Sequence, residues 1–322
     1  MDIDADPAVG ASLAFAWARQ SEWSQAATKA KNDLFRARYT SLGLTVFAAF
    51  LATAAVQWAA AFSIAERSLA ALATLSLGLV ALMQQATKPE RVQSWTRTRS
   101  VAEAIKAETY TFLAGVTPYR GQDRAERFRR NLDRVLAHAD DLRILTVGIK
   151  AEARPLPPVH NVASYVTERV QQQIACYYKP QSERMRCRAE LFRYAASTLA
   201  VFALLLSLAT AVSGHQGFAA WSPVITTVIA TVAAHGAVQR YAALAQEYSR
   251  TYAELERLEL NHRRPASSPA AAAAADDDFV AATEAVISIQ NQSWMARNIA
   301  AAKSEYDGGP IEDGGAGIER GC

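Results

Sequence analysis

Charge vanishes from this chain in two long stretches. No Asp, Glu, Lys or Arg lies between Arg38 and Glu66, nor between Arg67 and Lys88. A second stretch runs from Tyr194 to Gln239, interrupted only by the turn sequence Gly214-His215-Gln216-Gly217. A helix needs about 20 apolar residues to cross a bilayer core of about 30 Å. Each stretch therefore predicts two spans and a tight turn, at about 41–63 and 68–87, then about 194–213 and 218–239.

Outside these stretches the period changes to that of amphipathic helices. Residues 11–38 predict a helix anchored by Leu13, Trp17, Leu34 and Phe35. Pro89 stops or kinks the chain after the second span. Beyond it, Trp95, Ala102, Ile105, Thr109, Phe112 and Leu113 recur in helical steps. Gly115-Val116-Thr117-Pro118-Tyr119 breaks this helix, and a further one is expected over about 123–141, with Phe128, Leu132, Val135 and Leu136 on one side. Pro155, Pro157 and Pro158 mark 151–160 as a linker or extended segment. A helix bearing Val170 and Ile174 leads to the second hairpin, and a polar helix, 240–264, leaves it. Residues 265–275 are expected to be flexible, with Asp276-Asp277-Asp278 supplying a negative start to a last helix, 279–302.

The order helix, hairpin, long helix, break, helix thus occurs twice. Trp23 and Tyr178 each precede a tyrosine by sixteen positions, Tyr39 and Tyr194. Past the hairpins, Ala102-Glu103 falls on Ala253-Glu254 and Phe128 on Phe279. The expected fold is an all-α membrane protein of two repeated two-span hairpins with long cytoplasmic helices. Its units are an acidic tail at 1–10, a first repeat at 11–150, the linker at 151–160, a second repeat at 161–302 and a disordered tail at 303–322.

Charge sets the orientation. Lys29, Lys31, Arg36 and Arg38 precede the first span, and Lys88, Arg91, Arg97 and Arg99 follow the second. Arg184, Arg186, Arg188 and Arg193 precede the third, and Arg240 follows the fourth, whereas the hairpin turns hold only Arg67. The positive-inside rule places both termini and the long helices of this multi-pass membrane protein in the cytoplasm. The net charge of +3 gives no case for nucleic acid. The acidic N-terminus has no apolar core of a signal peptide, so the first span is expected to direct insertion.

These residues carry a resemblance. A basic helix closing on Arg38-Tyr39, an uncharged hairpin, then Trp95, Ala102-Glu103, Lys106 and Glu108, and the Gly115-x-x-Pro118-Tyr119 break resemble the SLATT family. These are two-transmembrane effector domains associated with SMODS nucleotide cyclases and SLOG nucleotide sensors. Arg193-Tyr194, Ala253-Glu254 and Asn291…Trp294 repeat part of the pattern, which suggests tandem copies; a counterpart of Trp95 and of the Gly-x-x-Pro-Tyr break is missing there. The resemblance implies a bacterial anti-phage effector that opens a pore as an oligomer when a cyclase or nucleotide-sensor partner detects infection.

Motifs for chemistry are scarce. The sequence has no GxGxxG, P-loop, HExxH or GxSxG, and Cys176, Cys187 and Cys322 form no metal-spaced set, so no cofactor and no enzymatic activity are expected. Asp140-Asp141 and Asp276–Asp278 read as solvated helix-end charges. Thr227, Thr231 and His235 share a face of the fourth span; with Gln57 and Thr74 they are the candidate pore lining, although His235 also fits a packing contact near the headgroups. Trp58 and Trp221 read as interface anchors. Two function classes follow: a bilayer-perturbing effector, or a scaffold or sensor that recruits a soluble partner and conducts nothing.

Overall fold

The computed structural model describes residues 7–58, 63–213 and 220–307, and no strand occurs among them. Helix α1, Pro7–Trp58, is a single rod of 52 residues, so the expected basic helix and first span are one element. At about 1.5 Å per residue it is nearly 80 Å long. Helix α2 spans Ser63–Gln85 and α3 Pro89–Ala114. Pro89 at the first turn of α3 donates nothing there, which makes it a start signal as much as a stop. Gly115 ends α3 in the left-handed region (φ 72°), its N–H reaching the Phe112 carbonyl at 3.1 Å. Helix α4, Arg124–Ala137, and a 3-10 turn, Asp140–Thr146, follow.

The proline-rich segment is an extended strap. It lies along α1 through Trp17 Nε1 to the Pro155 carbonyl (3.0 Å), Glu152 N to Ser21 Oγ (3.0 Å) and Gln25 Nε2 to the Lys150 carbonyl (3.1 Å). Val159 is fully buried. Asn161 and Ser164 then form a reciprocal cap that starts the next helix. That helix runs without a break from α5, Val162–Tyr165, through two π-helical stretches, Val166–Gln171 and Gln173–Tyr178, into α6, Lys179–Ser213. The π winding has a packing reason. Tyr165, Val170, Ile174 and Tyr178 are buried at steps of five, four and four, wider than an α-helix holds on one face. Helices α7 (Ser222–Gln239), α8 (Tyr241–His262) and α9 (Pro269–Asp307) complete the described residues.

Two expectations are corrected here. The last helix begins at Pro269, so Asp276–Asp278 lie two turns inside it and residues 269–275 are helical. Residues 86–88 separate α2 from α3, in keeping with the stop at Pro89, and Arg240, in the left-handed region (φ 42°, ψ 45°), separates α7 from α8. The first span ends at Trp58 and the turn expected at 64–67 lies inside α2, which begins at Ser63. The expected tails and the tip of the second hairpin fall largely outside the described residues, as do the side chains of Asn291 and Trp294.

Two regions result. The polar part of every long helix joins a head whose core unites Leu13 and Trp23 of α1, Ile105 and Phe112 of α3, and Phe128 of α4 with Tyr165, Leu255 of α8 and Val280 of α9. Both predicted repeats thus share one core. The apolar parts project as a row in which α1 packs on α2 and on α7, and α7 packs on α6. Three helices are apolar and long enough to cross a membrane: Ala8–Trp58, Glu66–Gln85 and Val162–Val212. In α7 the apolar stretch Ser222–Ala233 is shorter. The ends of the row are bare: Leu72, Leu75 and Leu79 of α2, and Phe202, Leu204 and Leu208 of α6, are all exposed. Water would expel such faces; lipid solvates them.

Candidate functional site

Two clusters stand out, one inside the head and one where the head meets the spans. In the head, Arg169 lies on the first π-helical stretch and is 1% exposed. Its Nε and Nη2 donate to the two carboxylate oxygens of Glu284 on α9, at 2.9 and 2.8 Å. The Tyr165 hydroxyl donates to the same carboxylate at 2.8 Å. The guanidinium sits 4.7 Å from the ring centre of Tyr110 on α3. Burial raises the Glu284 carboxyl, but the Arg169 charge and the bonds from Arg169 and Tyr165 outweigh it and hold the carboxyl below its ordinary range. Lys106 lies deep in the same region; burial, then repulsion from Arg169, pulls its ammonium down. Burial, with the Glu284 charge behind it, holds the Tyr165 hydroxyl protonated.

The Gly-x-x-Pro-Tyr break has a matching role. The Tyr119 hydroxyl is buried against α3 and donates to Glu108, while accepting from Asn131 Nδ2 at 2.8 Å. Next to it, the Thr117 N–H and hydroxyl both donate to Asp277, at 2.9 and 2.8 Å, and Arg120 pairs with the same carboxylate at 2.8 Å. Asp277 therefore pins α9 to the end of α3. Asp141 forms a bidentate pair with Arg97 at 2.5 and 2.9 Å. The reading of Asp276–Asp278 as solvated helix-end charges is thereby corrected, whereas Asp140 and Asp141 do stand exposed in the first turn of a 3-10 helix.

At the root of the spans, His235 is buried among aromatic rings. Tyr39 of α1 and Phe192 of α6 lie 5.4 and 5.1 Å from its ring centre, and its Nε2 shares a hydrogen bond with the Tyr241 hydroxyl at 3.1 Å. Phe192 stacks on Tyr241 at 5.3 Å. This box joins α1, α6, α7 and α8 at one point.

The other predicted positions are scattered. Thr227 and Thr231 follow His235 up α7, half-buried, and the Thr227 hydroxyl donates to the Pro223 carbonyl at 2.8 Å. Thr74 is exposed on α2, its hydroxyl donating to the Ala70 carbonyl at 3.0 Å. Gln57 is half-buried near the outer end of α1, beside the exposed Trp58. Trp221, just before α7, packs against Phe50 of α1 at 5.3 Å. Within one chain these residues do not converge on a common lumen: Thr74 stands at one end of the row, and Thr227 and Thr231 stand on an inner helix.

The Arg169–Glu284 pair escaped the sequence reading. Its members are 115 positions apart and share no spacing motif. The available signal was one arginine on the otherwise apolar face of Val166, Val170 and Ile174.

A helical head rooted in apolar rods that suit a bilayer defines a membrane protein with a sizeable extramembrane part. Residues 165–294 match the family model of the SMODS and SLOG-associating 2TM effector domain 1, so this part of the chain is similar to a two-transmembrane effector domain, the SLATT domain. Residues 21–127 match a different family, a protein of unknown function (DUF4231); a second SLATT copy there is not what the comparison finds. No curated protein and no solved structure matches the chain.

Proposed function

We propose that this protein is a non-catalytic, four-span effector of the bacterial inner membrane that permeabilises the bilayer as an oligomer. In this reading both termini and the head face the cytoplasm, and the halves 11–150 and 161–302 descend from one two-span unit. The observation that carries it is the open row α2–α1–α7–α6, with exposed apolar faces at both ends. An open row encloses no path for ions. Copies joined edge to edge, through α2 of one and α6 of the next, close a ring whose inner face carries the polar positions. Small residues such as Ala48 and Ala55 on α1 already allow close approach within the row.

The head supplies the control. One unbroken helix carries Arg169 at its head end and the span of α6 at the other, roughly 35 Å away at 1.5 Å per residue. A cyclase product or sensor partner that separates α9 from this helix would shift the rod. The scaffold reading is favoured by a specific observation: the Thr74 and Thr227 hydroxyls are already satisfied by their own backbones. Flux of a fluorescent ion reporter from liposomes holding the purified oligomer decides between the two. Permeabilisation that is lost in Thr227→Val/Thr231→Val/His235→Leu at equal protein level supports the pore. Vesicles that stay tight, with growth arrest preserved in the triple variant, refute it and leave the scaffold.

A further inference from the structure

A groove runs along the outer side of α6 and changes character along its length. Its upper part, about 750 Å³, lies between α6 and α8 and is lined by Lys179, Ser182, Arg186, Arg193, Gln246 and Ser249, with the carboxylates of Glu183 and Glu190. Its lower part, about 460 Å³, lies between α6 and α7 and is walled by Phe192, Ala196, Val232, Ala233 and Gly236. The two share Ala189, Arg193 and Ala242, so they form one continuous channel. From Lys179 to Ala196 it extends about 25 Å along the helix.

We infer that this groove binds one anionic phospholipid, its phosphate between Arg193 and Arg240 and one acyl chain along Ala196, Val232 and Ala233. The gradient from apolar to polar runs in the direction of a lipid standing in a leaflet. Arg193 precedes the apolar part of α6 and Arg240 follows that of α7, which in the proposed membrane placement is the depth of the headgroups. Both line the lower groove. Arg240 is the one non-glycine with positive φ among the described residues, and its N–H reaches the Gly236 carbonyl at 3.1 Å. This conformation, which L-residues rarely adopt, breaks α7 from α8 beside the groove. The Phe192 ring lies beside Gly236, where an added Cβ would make ordinary contact with its Cδ1 at 4.0 Å. That ring floors the groove. The charges balance in favour of an anion. Arg186, Arg193, Arg240 and Lys179 face Glu183 and Glu190, and Lys179 is held by Glu256 at 2.7 Å. The two carboxylates and Ser182, Gln246 and Ser249 suit the hydroxyls of a polyol headgroup. The hydroxyl of Ser182 already donates to the Ala245 carbonyl at 3.0 Å, which ties α6 to α8 at this end of the groove. Basic pockets between spans are a recurring way of holding anionic headgroups.

The inference rests on the membrane placement of α6 and α7 and not on conduction. Native mass spectrometry of the full chain in detergent, given phosphatidylglycerol or phosphatidylcholine with identical chains, tests it. The expected result is preferential retention of phosphatidylglycerol. Arg193→Gln/Arg240→Gln should lower its relative affinity about thirtyfold, about fivefold for each arginine at the surface. Arg193→Lys/Arg240→Lys should restore most of it. Arg36→Gln/Arg91→Gln removes the same charge from the first hairpin and should leave affinity within about twofold. Ala196→Trp fills the apolar end without touching charge and should also abolish retention. Three outcomes overturn the inference. Both glutamine pairs losing affinity equally would mean diffuse surface attraction. Inorganic phosphate displacing phosphatidylglycerol at millimolar concentration would mean a site for a soluble phosphate. Ala196→Trp retaining the lipid at wild-type level would mean that no chain lies in the groove.

Discussion

Removing the Glu284 carboxylate is the sharpest test of how the head is held. Arg169 is 1% exposed and Glu284 12% exposed at the side chain, so Glu284→Ala leaves a buried guanidinium without its hydrogen-bonded counter-ion and the Tyr165 hydroxyl without that acceptor. Breaking a buried ion pair from one side costs about 3–5 kcal/mol. At about 2–4 °C per kcal/mol for a head of this size, the expected fall in Tm is roughly 6–20 °C. Trp17, Trp23 and Trp95 report on the head, so tryptophan fluorescence during heating in detergent reads the transition. Glu254→Ala removes an exposed pair with Arg257 and should barely move it. Arg169→Met/Glu284→Leu removes both charges and should recover most of the loss, because the cost lies in the orphaned charge and not in the missing attraction. The pair also predicts a pH dependence. The folded Glu284 carboxyl is held below its ordinary value of 4.5, so as pH falls the unfolded chain takes up the proton first. Its contribution is complete above that ordinary value and is lost as pH drops through the lower folded one; in Glu284→Ala this part of the acid limb disappears. If Glu284→Ala melts with Glu254→Ala, the pair does not hold the head and the reasoning fails.

Two further outcomes follow from the same structure. Asp277→Ala cuts the bonds from Thr117 and Arg120 that pin α9 to the end of α3, and should cost about 1–2 kcal/mol, with faster amide exchange across Pro269–Asp278 than across α4; equal exchange in both helices counts against the pin. With cysteine introduced at Glu66 or Arg97 in a Cys-free background, an impermeant thiol reagent on intact cells should modify the former and spare the latter; the reverse pattern would invert the orientation.

The hydrophobic pattern alone was enough for the helical class, for three long apolar helices, and for the buried faces of α3 and α4. Trp95, Ala102, Ile105, Thr109, Phe112 and Leu113 are all buried, as their spacing implied. Such readings succeed because burial of a face is imposed locally, turn by turn. Local signals say less about ends: Asp276–Asp278 looked like a helix start, yet the alanines before them extend the helix to Pro269. Only the tertiary structure decided that the long helices of both halves share one core, and that the spans stand in an open row. It alone brought Arg169 to Glu284, Thr117 to Asp277, and Tyr39, Phe192 and Tyr241 around His235. Those contacts join residues far apart in sequence, and they form because a buried charge or hydroxyl must find a partner across whatever helix the core places opposite it. A one-dimensional pattern records which face of a helix leaves water, but not which helix meets it there.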